Sequence, residues 1–281
     1  MGLFDIMNNG EKELVRKQAT KPLPMGTGQS LAALSKKYGQ QLGINPNMLA
    51  SSSLVEGVSA MFNPKGGQYS AAYEAAVEGG SVDPKKYPVD AFYFAGLDNF
   101  GPMVDKLKGK GYLPKDLDYQ TYPAWNEAVE KSIAKFDNKG NITEYIMPKD
   151  LVESAYFGKG EKRQKAIAEI NNKLKAKGIT PNQTVAFKNA DDMILAKGAY
   201  LRELQDETMA YAKKKGITPS REELDYLTMS AYNGGPGAMR ELVDQIKAGD
   251  KEVTKKGGKR GQVHKHVSKR MGYMGYMGDL F

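Results

Sequence analysis

The stretch "ADDMILAKGAYLRELQDETMAYAKKKGI", residues 190–217, sets the expectation for the fold. Asp191 suits the positive N-terminal end of a helix dipole, and the lysines at 213–215 suit the negative C-terminal end. Gly216 follows them in the position of a C-cap glycine. The stretch therefore predicts one long helix, and the chain on either side of it is also expected to be mainly helical.

The segment downstream predicts two more helices separated by a break. Ser220 and Glu223 form a capping box before an apolar helix. The sequence "NGGPG", residues 233–237, ends that helix, and Pro236 suits the first turn of the next one.

Two helices are also predicted upstream. Ser30 precedes "SLAALSKKYGQQL", in which apolar residues recur at helical spacing. Asn45 and Pro46 are typical of an N-cap followed by a first-turn proline, and they open a helix through "PNMLASSSLVEGVSAMF", residues 46–62. The turn sequence "NPKGG", residues 63–67, ends it.

The middle of the chain is less regular. "YPVDAFYFAGLDNFG", residues 87–101, is aromatic and bounded by proline and glycine, which predicts a short hairpin or a buried loop. Residues 115–190 are more polar and are expected to form a helical insertion, with candidate helices at 124–136, 149–157 and 161–177. The predicted fold class is mainly α, of the α+β type, with an N-terminal arm (1–27), a helical domain (28–250) and a basic C-terminal segment (251–281).

Several classes of chemistry lack their residues in this chain. There is no cysteine, so neither a disulfide nor a thiolate-bound metal is available. His264 and His266 are two positions apart, on different sides of a helix, and no H-E-x-x-H pattern accompanies them. Nucleophile-elbow, P-loop and dinucleotide motifs are also missing. We therefore expect no metal and no cofactor, and carboxylate chemistry remains.

The positive charge is concentrated near the C-terminal end. The net charge is +8, and residues 251–270 contain eight lysines and arginines against one acidic residue. A flexible basic segment of this kind could contact nucleic acid, lipid head groups or another anionic polymer, or could be a solvated loop. No apolar run approaches the roughly 18 residues of a membrane span, and the first residues lack the apolar stretch of a secretory signal.

Two glutamates stand in similar stretches, Glu56 in "LVEGVSAMFNPKGG" and Glu153 in "LVESAYFGKG". The helical neighbours of Glu56 at i±3 and i±4 are small, which predicts open space beside its carboxyl group; they are Ser52, Ser53, Ser59 and Ala60. The apolar flank of this helix is expected to desolvate the carboxyl group and raise its pKa. A protonated carboxyl group is what general acid catalysis of glycosidic cleavage requires, whereas the alternative is a solvated surface glutamate.

Several of these sequence features together resemble a known protein family. "SAYNGGPGAMREL", residues 230–242, resembles the Ala-Tyr-Asn-x-Gly-Pro-Gly segment of the lytic transglycosylases, lysozyme-like enzymes that cut peptidoglycan. The long helix at 190–214 is similar to the helix that precedes this segment in the family. The early glutamate, the block at 87–101 and "AYNGG" also look like lysozyme-like proteins of bacteriophage particles, over about residues 28–245.

The resemblance implies the site residues. Glu56 takes the place of the catalytic glutamate, and Gly96 and Leu97 that of the glycine-leucine segment of the substrate cleft. Tyr232 and Asn233 line the cleft, and Tyr273, chosen over Tyr276, hydrogen-bonds the acid. Glu153 has the more literal Glu-Ser dipeptide, but no glycine-leucine segment follows it before the long helix.

Two departures from the family pattern stand at Gly57, where the family has serine, and at Asp98, where it has Met-Gln or similar. Asp98 is expected to cap a turn or to serve as a second carboxylate for hydrolysis. The implied reaction cleaves MurNAc-GlcNAc bonds of peptidoglycan, and the implied location is a phage virion that acts at the host cell wall beside other virion proteins. The alternatives are an inactive lysozyme-like structural virion protein and a nucleic-acid-binding accessory protein that uses residues 251–270.

Overall fold

The computed structural model describes residues 9–58, 69–97, 99–125, 127–137, 141–249 and 261–277. Its helices are α1 (Asn9–Thr20), α2 (Leu31–Leu42), α3 (Pro46–Ser53), α4 (Ala71–Glu78), α5 (Ala91–Ala95), α6 (Gly101–Gly109), α7 (Glu127–Lys131), α8 (Lys149–Phe157), α9 (Gly160–Ala176), α10 (Ala190–Lys214), α11 (Arg221–Lys247) and α12 (Gly261–Met277). Its strands are β1 (Val89–Asp90), β2 (Tyr119–Ala124), β3 (Ala134–Phe136), β4 (Ile142–Tyr145) and β5 (Asn182–Phe187). Helices dominate and the sheets are small and antiparallel, which confirms the predicted mainly α, α+β fold class.

The chain divides into two units. Unit 1 comprises Met1–Pro64, Lys106–Lys115 and Ala190–Phe281, and unit 2 comprises Lys65–Asp105 and Asp116–Asn189. In the described part of the chain, unit 1 is helical and unit 2 holds all five strands.

Local side-chain chemistry determines the helix ends of unit 1. The Ser30 hydroxyl accepts a hydrogen bond from the Ala33 amide and starts α2, and the Asn45 side chain accepts one from the Asn47 amide and starts α3. The Ser220 and Glu223 side chains each accept from the other's amide at the start of α11. These contacts confirm the predicted caps, which satisfy amides that have no partner within the helix.

The predicted break in α11 is also present. Gly235 has φ 73° and ψ 175°, which is not helical, and Pro236 follows at the start of the second half of α11. Because a side chain strains the backbone at this positive φ, glycine is the residue suited to the break. Asn233, two positions earlier, therefore lies at the end of the first half of α11.

Close packing holds α3 against α10. A Cβ atom added at Gly198 of α10 would lie 3.0 Å from Leu42 Cδ1 and 3.2 Å from Leu49 Cδ2. The missing side chain therefore permits the approach of α2 and α3 to α10. α12 packs against both α3 and α11, so the C-terminal helix completes the core of unit 1.

Unit 2 departs from the sequence expectation in two places. The segment 87–101 is neither a hairpin nor a loop, because β1 pairs with the distant β5 and α5 follows it at once. Asp90 is the reason, since its carboxylate accepts hydrogen bonds from the Phe92 and Tyr93 amides and so caps α5. The candidate helix at 124–136 is wrong in its extent: among the described residues of that range only α7 is helical, and β3 pairs with β4 in an antiparallel arrangement.

Candidate functional site

Glu56 lies on a single π-helical turn, Leu54–Val58, that continues α3. Ser52 and Ser53 are fully buried, and both hydroxyls donate hydrogen bonds to the Leu49 carbonyl oxygen, at 3.0 and 2.8 Å. The prediction that they leave open space beside Glu56 is therefore wrong, because they pack within the protein and bond to their own helix. Ser59 and Ala60 lie outside the described residues. A π-helical turn inside an α-helix is frequent at functional sites.

The partner of the Glu56 carboxylate is Arg270, which reaches it from α12 and forms an ion pair with it. The Arg270 side chain is fully buried, whereas 25% of the Glu56 side chain is exposed. Burial lowers the pKa of Arg270 to about 10, which leaves the guanidinium charged at neutral pH. A neighbouring cation favours the ionised carboxylate, so the surroundings of Glu56 differ from the purely apolar ones expected from the sequence.

Tyr232 lies close to two buried basic side chains. The Arg270 guanidinium carbon is 5.2 Å from the centre of the Tyr232 ring, and the Lys197 ammonium nitrogen is 5.1 Å from it. The Tyr200 ring lies 5.8 Å away, centroid to centroid. Attraction between a cation and the face of an aromatic ring is strongest in such desolvated positions. We call Glu56, Arg270, Tyr232 and Lys197 the Glu56 cluster.

Lys197 is a member of this cluster that sequence reasoning missed. It is fully buried on α10, and its ammonium group donates a 3.0 Å hydrogen bond to the Ser52 carbonyl oxygen. Burial holds the pKa of Lys197 well below its ordinary value. The sequence signal for its burial is its position within the apolar part of the long helix.

Asn233 and Tyr273 are the other predicted site residues of unit 1. The Asn233 side-chain amide donates to the Met229 carbonyl oxygen at 2.8 Å, within its own helix. Tyr273 is half-buried on α12, with the Lys269 ammonium nitrogen 5.7 Å from its ring centre. Tyr276 is buried, and its carbonyl oxygen accepts from Arg16 Nε at 2.9 Å. The α12 side chain that pairs with Glu56 is thus Arg270, one helical turn before Tyr273.

The remaining predicted residues belong to unit 2. Gly96 ends α5 with φ 64°, and Leu97 is buried, its carbonyl oxygen accepting from the Thr184 hydroxyl. Asp98 lies outside the described residues. The Glu153 side chain is half-exposed, accepts from the Tyr145 hydroxyl at 2.9 Å and lies 3.7 Å from the Lys149 ammonium group. Glu153 therefore has the contacts of a surface carboxylate, in a different unit from Tyr232.

No family model matches the chain, and the comparisons with curated proteins and with solved structures return no match either. The grounds for a functional assignment are therefore the chemistry of the Glu56 cluster and the motif resemblance.

The basic segment is partly described. Residues 251–260 and the side chains of His264 and His266 lie outside the description, while residues 261–270 form the first part of α12. The expectation of a flexible segment is therefore wrong for residues 261–270. Buried Val267, Met274 and Met277 recur at helical spacing and hold α12 in the core, and Arg270 is buried with them.

Within the described ranges, His, Asp and Glu side chains form no group of three or more that could hold a metal ion. None of the helices in those ranges combines the length and the apolar character needed to cross a lipid bilayer.

Proposed function

We propose that this protein is a peptidoglycan lytic transglycosylase of a bacteriophage particle, with Glu56 as its single catalytic carboxyl group. The observation that carries the proposal is the contact of one side chain, Arg270, with both Glu56 and Tyr232. Separate motifs, far apart in the sequence, predict these two residues for one site. Glu153, the competing candidate, is half-exposed and lies in the other unit.

The chemistry needs one carboxyl group in two protonation states. As an acid, Glu56 donates its proton to the glycosidic oxygen between N-acetylmuramic acid and N-acetylglucosamine, and that bond breaks. As a carboxylate, Glu56 then takes the proton of the muramic acid C6 hydroxyl, whose oxygen bonds to C1 and closes a 1,6-anhydro ring. The substrate supplies the nucleophile, so no second enzymic carboxylate is required.

Arg270 suits the second half of this reaction and opposes the first. A guanidinium in contact with Glu56 favours the carboxylate, which is the base that accepts the C6 proton. Donation to the glycosidic oxygen requires a protonated Glu56, and therefore a weaker contact with Arg270 once substrate is bound. The Glu56 side chain is partly exposed, so solvent and a ligand have access to it.

The test is digestion of purified peptidoglycan, followed by mass spectrometry of the released muropeptides. Anhydro-muropeptides are expected from the wild type, and hydrolysis would give reducing ends instead. Glu56→Gln should lower the rate at least about 100-fold, because it removes the proton donor and acceptor. Glu153→Gln is the matched control and should keep the wild-type rate. Loss of activity in Glu153→Gln alone would contradict the assignment of Glu56.

A catalytically inactive structural virion protein is the second candidate, and the burial of Arg270 against Glu56 favours it. An ion pair that persists in the presence of substrate keeps the carboxylate ionised and removes the acid step. Under this hypothesis the wild type releases no muropeptides at any pH between about 3 and 7, a range that brackets the ordinary glutamate pKa of about 4.3. Release of anhydro products would exclude it.

A further inference from the structure

Unit 2 contains a cavity of about 350 Å³ whose walls include α4, α8, α9 and the end of β2. This volume is within the range of small-molecule sites. The wall from α4 and its C-cap glycine consists of small residues, which are Ala71, Ala72, Ala75, Ala76 and Gly79. Since none of these extends beyond a methyl group, α4 leaves the cavity open and lines it with apolar surface.

Another part of the cavity wall is aromatic. Trp125 and Tyr156 line the cavity together, with ring centroids 5.6 Å apart. The Trp125 indole N–H donates a 2.9 Å hydrogen bond to the Asn171 side chain, so the polar edge of the ring already has its partner inside the protein. What the pair offers a ligand is mainly apolar aromatic surface.

A buried arginine supplies the polar end of the cavity. Arg163 is only 7% exposed and donates to the Ala71 carbonyl oxygen at 3.0 Å. Glu74 and Glu78 each lie 3.9 Å from its guanidinium, so its charge is compensated within the protein. Its Nε–H group and the Tyr156 hydroxyl are buried, and neither has a hydrogen-bond partner among the described residues. A buried donor without a partner is destabilising, and a ligand acceptor relieves this cost.

Together these walls specify an uncharged ligand with one apolar face, a small apolar substituent and a carbonyl acceptor. We propose that the cavity is a second saccharide site that binds an N-acetylhexosamine. The pyranose ring packs on Trp125 and Tyr156, the acetamido methyl group on the alanines of α4, and the acetamido oxygen accepts from Arg163 Nε. The choice of this sugar rests on the proposed function, because peptidoglycan strands are built from N-acetylhexosamines, whereas the cavity itself is independent of it.

The chain contains one tryptophan, so the indole N–H resonance of Trp125 is a unique reporter in the full-length ¹⁵N-labelled protein. We expect N-acetylglucosamine to shift this resonance saturably. Glucose, which lacks the acetamido group, should bind about tenfold more weakly, because it loses one hydrogen bond to a charged donor. No saturable shift with N-acetylglucosamine, or equal affinity for the two sugars, would overturn the proposal.

Variants separate the cavity from the rest of the surface. Ala75→Phe fills the cavity and should abolish the shift, and Ala168→Phe, at an exposed position of its lining, serves if the first variant does not fold. Ala176→Phe, exposed on the same helix as Ala168 and outside the lining, is the control and should bind as the wild type. Arg163→Met should weaken N-acetylglucosamine about tenfold and leave glucose unchanged. Wild-type affinity in a folded cavity-filling variant would contradict the assignment.

The Glu56→Gln variant distinguishes this proposal from the catalytic one, because it should retain sugar binding in unit 2. Saccharide binding without release of muropeptides by the wild type would refute the catalytic proposal alone. Release of muropeptides without a shift at Trp125 would refute the second saccharide site alone.

Discussion

The ion pair between Glu56 and Arg270 predicts an unequal response to removal of its two partners. Glu56→Gln leaves the guanidinium of Arg270 fully buried and uncompensated. Because an uncompensated buried charge costs about 3–5 kcal/mol, we expect a loss of about 3–4 kcal/mol in the free energy of unfolding. Arg270→Met leaves the carboxylate of Glu56 on a side chain that is 25% exposed to water. The expected loss there is about 1–2 kcal/mol, because solvation and the apolar methionine offset part of the cost.

The double variant completes a double-mutant cycle, which measures the interaction energy between the Glu56 and Arg270 side chains. Glu56→Gln with Arg270→Met removes both charges and should be more stable than Glu56→Gln alone, with a coupling energy of at least about 2 kcal/mol. Urea unfolding followed by far-ultraviolet circular dichroism measures the helices, and Trp125 fluorescence separately reports on unit 2. Glu153→Gln, at a half-exposed position, is the control and should change stability by less than about 0.5 kcal/mol. A coupling energy below about 0.5 kcal/mol, or a larger loss for Arg270→Met than for Glu56→Gln, would refute the reasoning.

Three further predictions concern unit 1. Gly198→Ala places a methyl group 3.0 Å from Leu42 Cδ1 and should lower the free energy of unfolding by about 1–3 kcal/mol. A melting temperature equal to that of the wild type would contradict this and show that α10 has room to shift. Ser220→Ala removes the cap of α11 and should cost about 0.5–2 kcal/mol, with Ser220→Thr as the conservative control that keeps most of it. Burial raises the pKa of Asp225, so its contribution to stability is lost as pH rises from the ordinary aspartate range to the raised pKa. Asp225→Asn should therefore stabilise at about pH 8 and have no effect at about pH 3, and the opposite pH dependence of the melting temperature would contradict this.

Local chemistry made the helices of unit 1 predictable. Ser30, Asn45 and Ser220 bond to amides within three residues of themselves, so the sequence window contains the whole interaction. The break at Gly235 and Pro236 is local in the same sense, because it follows from the backbone preferences of two adjacent residues.

The parts that sequence reasoning missed depend on distant partners. β1 has two residues, and it becomes a strand only through pairing with β5, about a hundred positions later. The burial of Lys197 and Arg270 likewise depends on Ser52, Tyr232 and Glu56, which other segments bring to them. Lysine and arginine are usually exposed to solvent, so the sequence alone favours an exposed position for Lys197 and Arg270. Only the packed core provides the partners that make their burial possible.

The position of α12 has a consequence for how the protein is made. Glu56 and Tyr232 are synthesised before Arg270, so a nascent chain that folds from its N-terminus forms α3, α10 and α11 while the last member of the Glu56 cluster is still absent. During that interval the carboxylate has no guanidinium against it, and the groove that α12 later fills on α3 and α11 is open. The acid of this site is thus assembled in two stages, and synthesis of α12 brings the guanidinium of Arg270 to it.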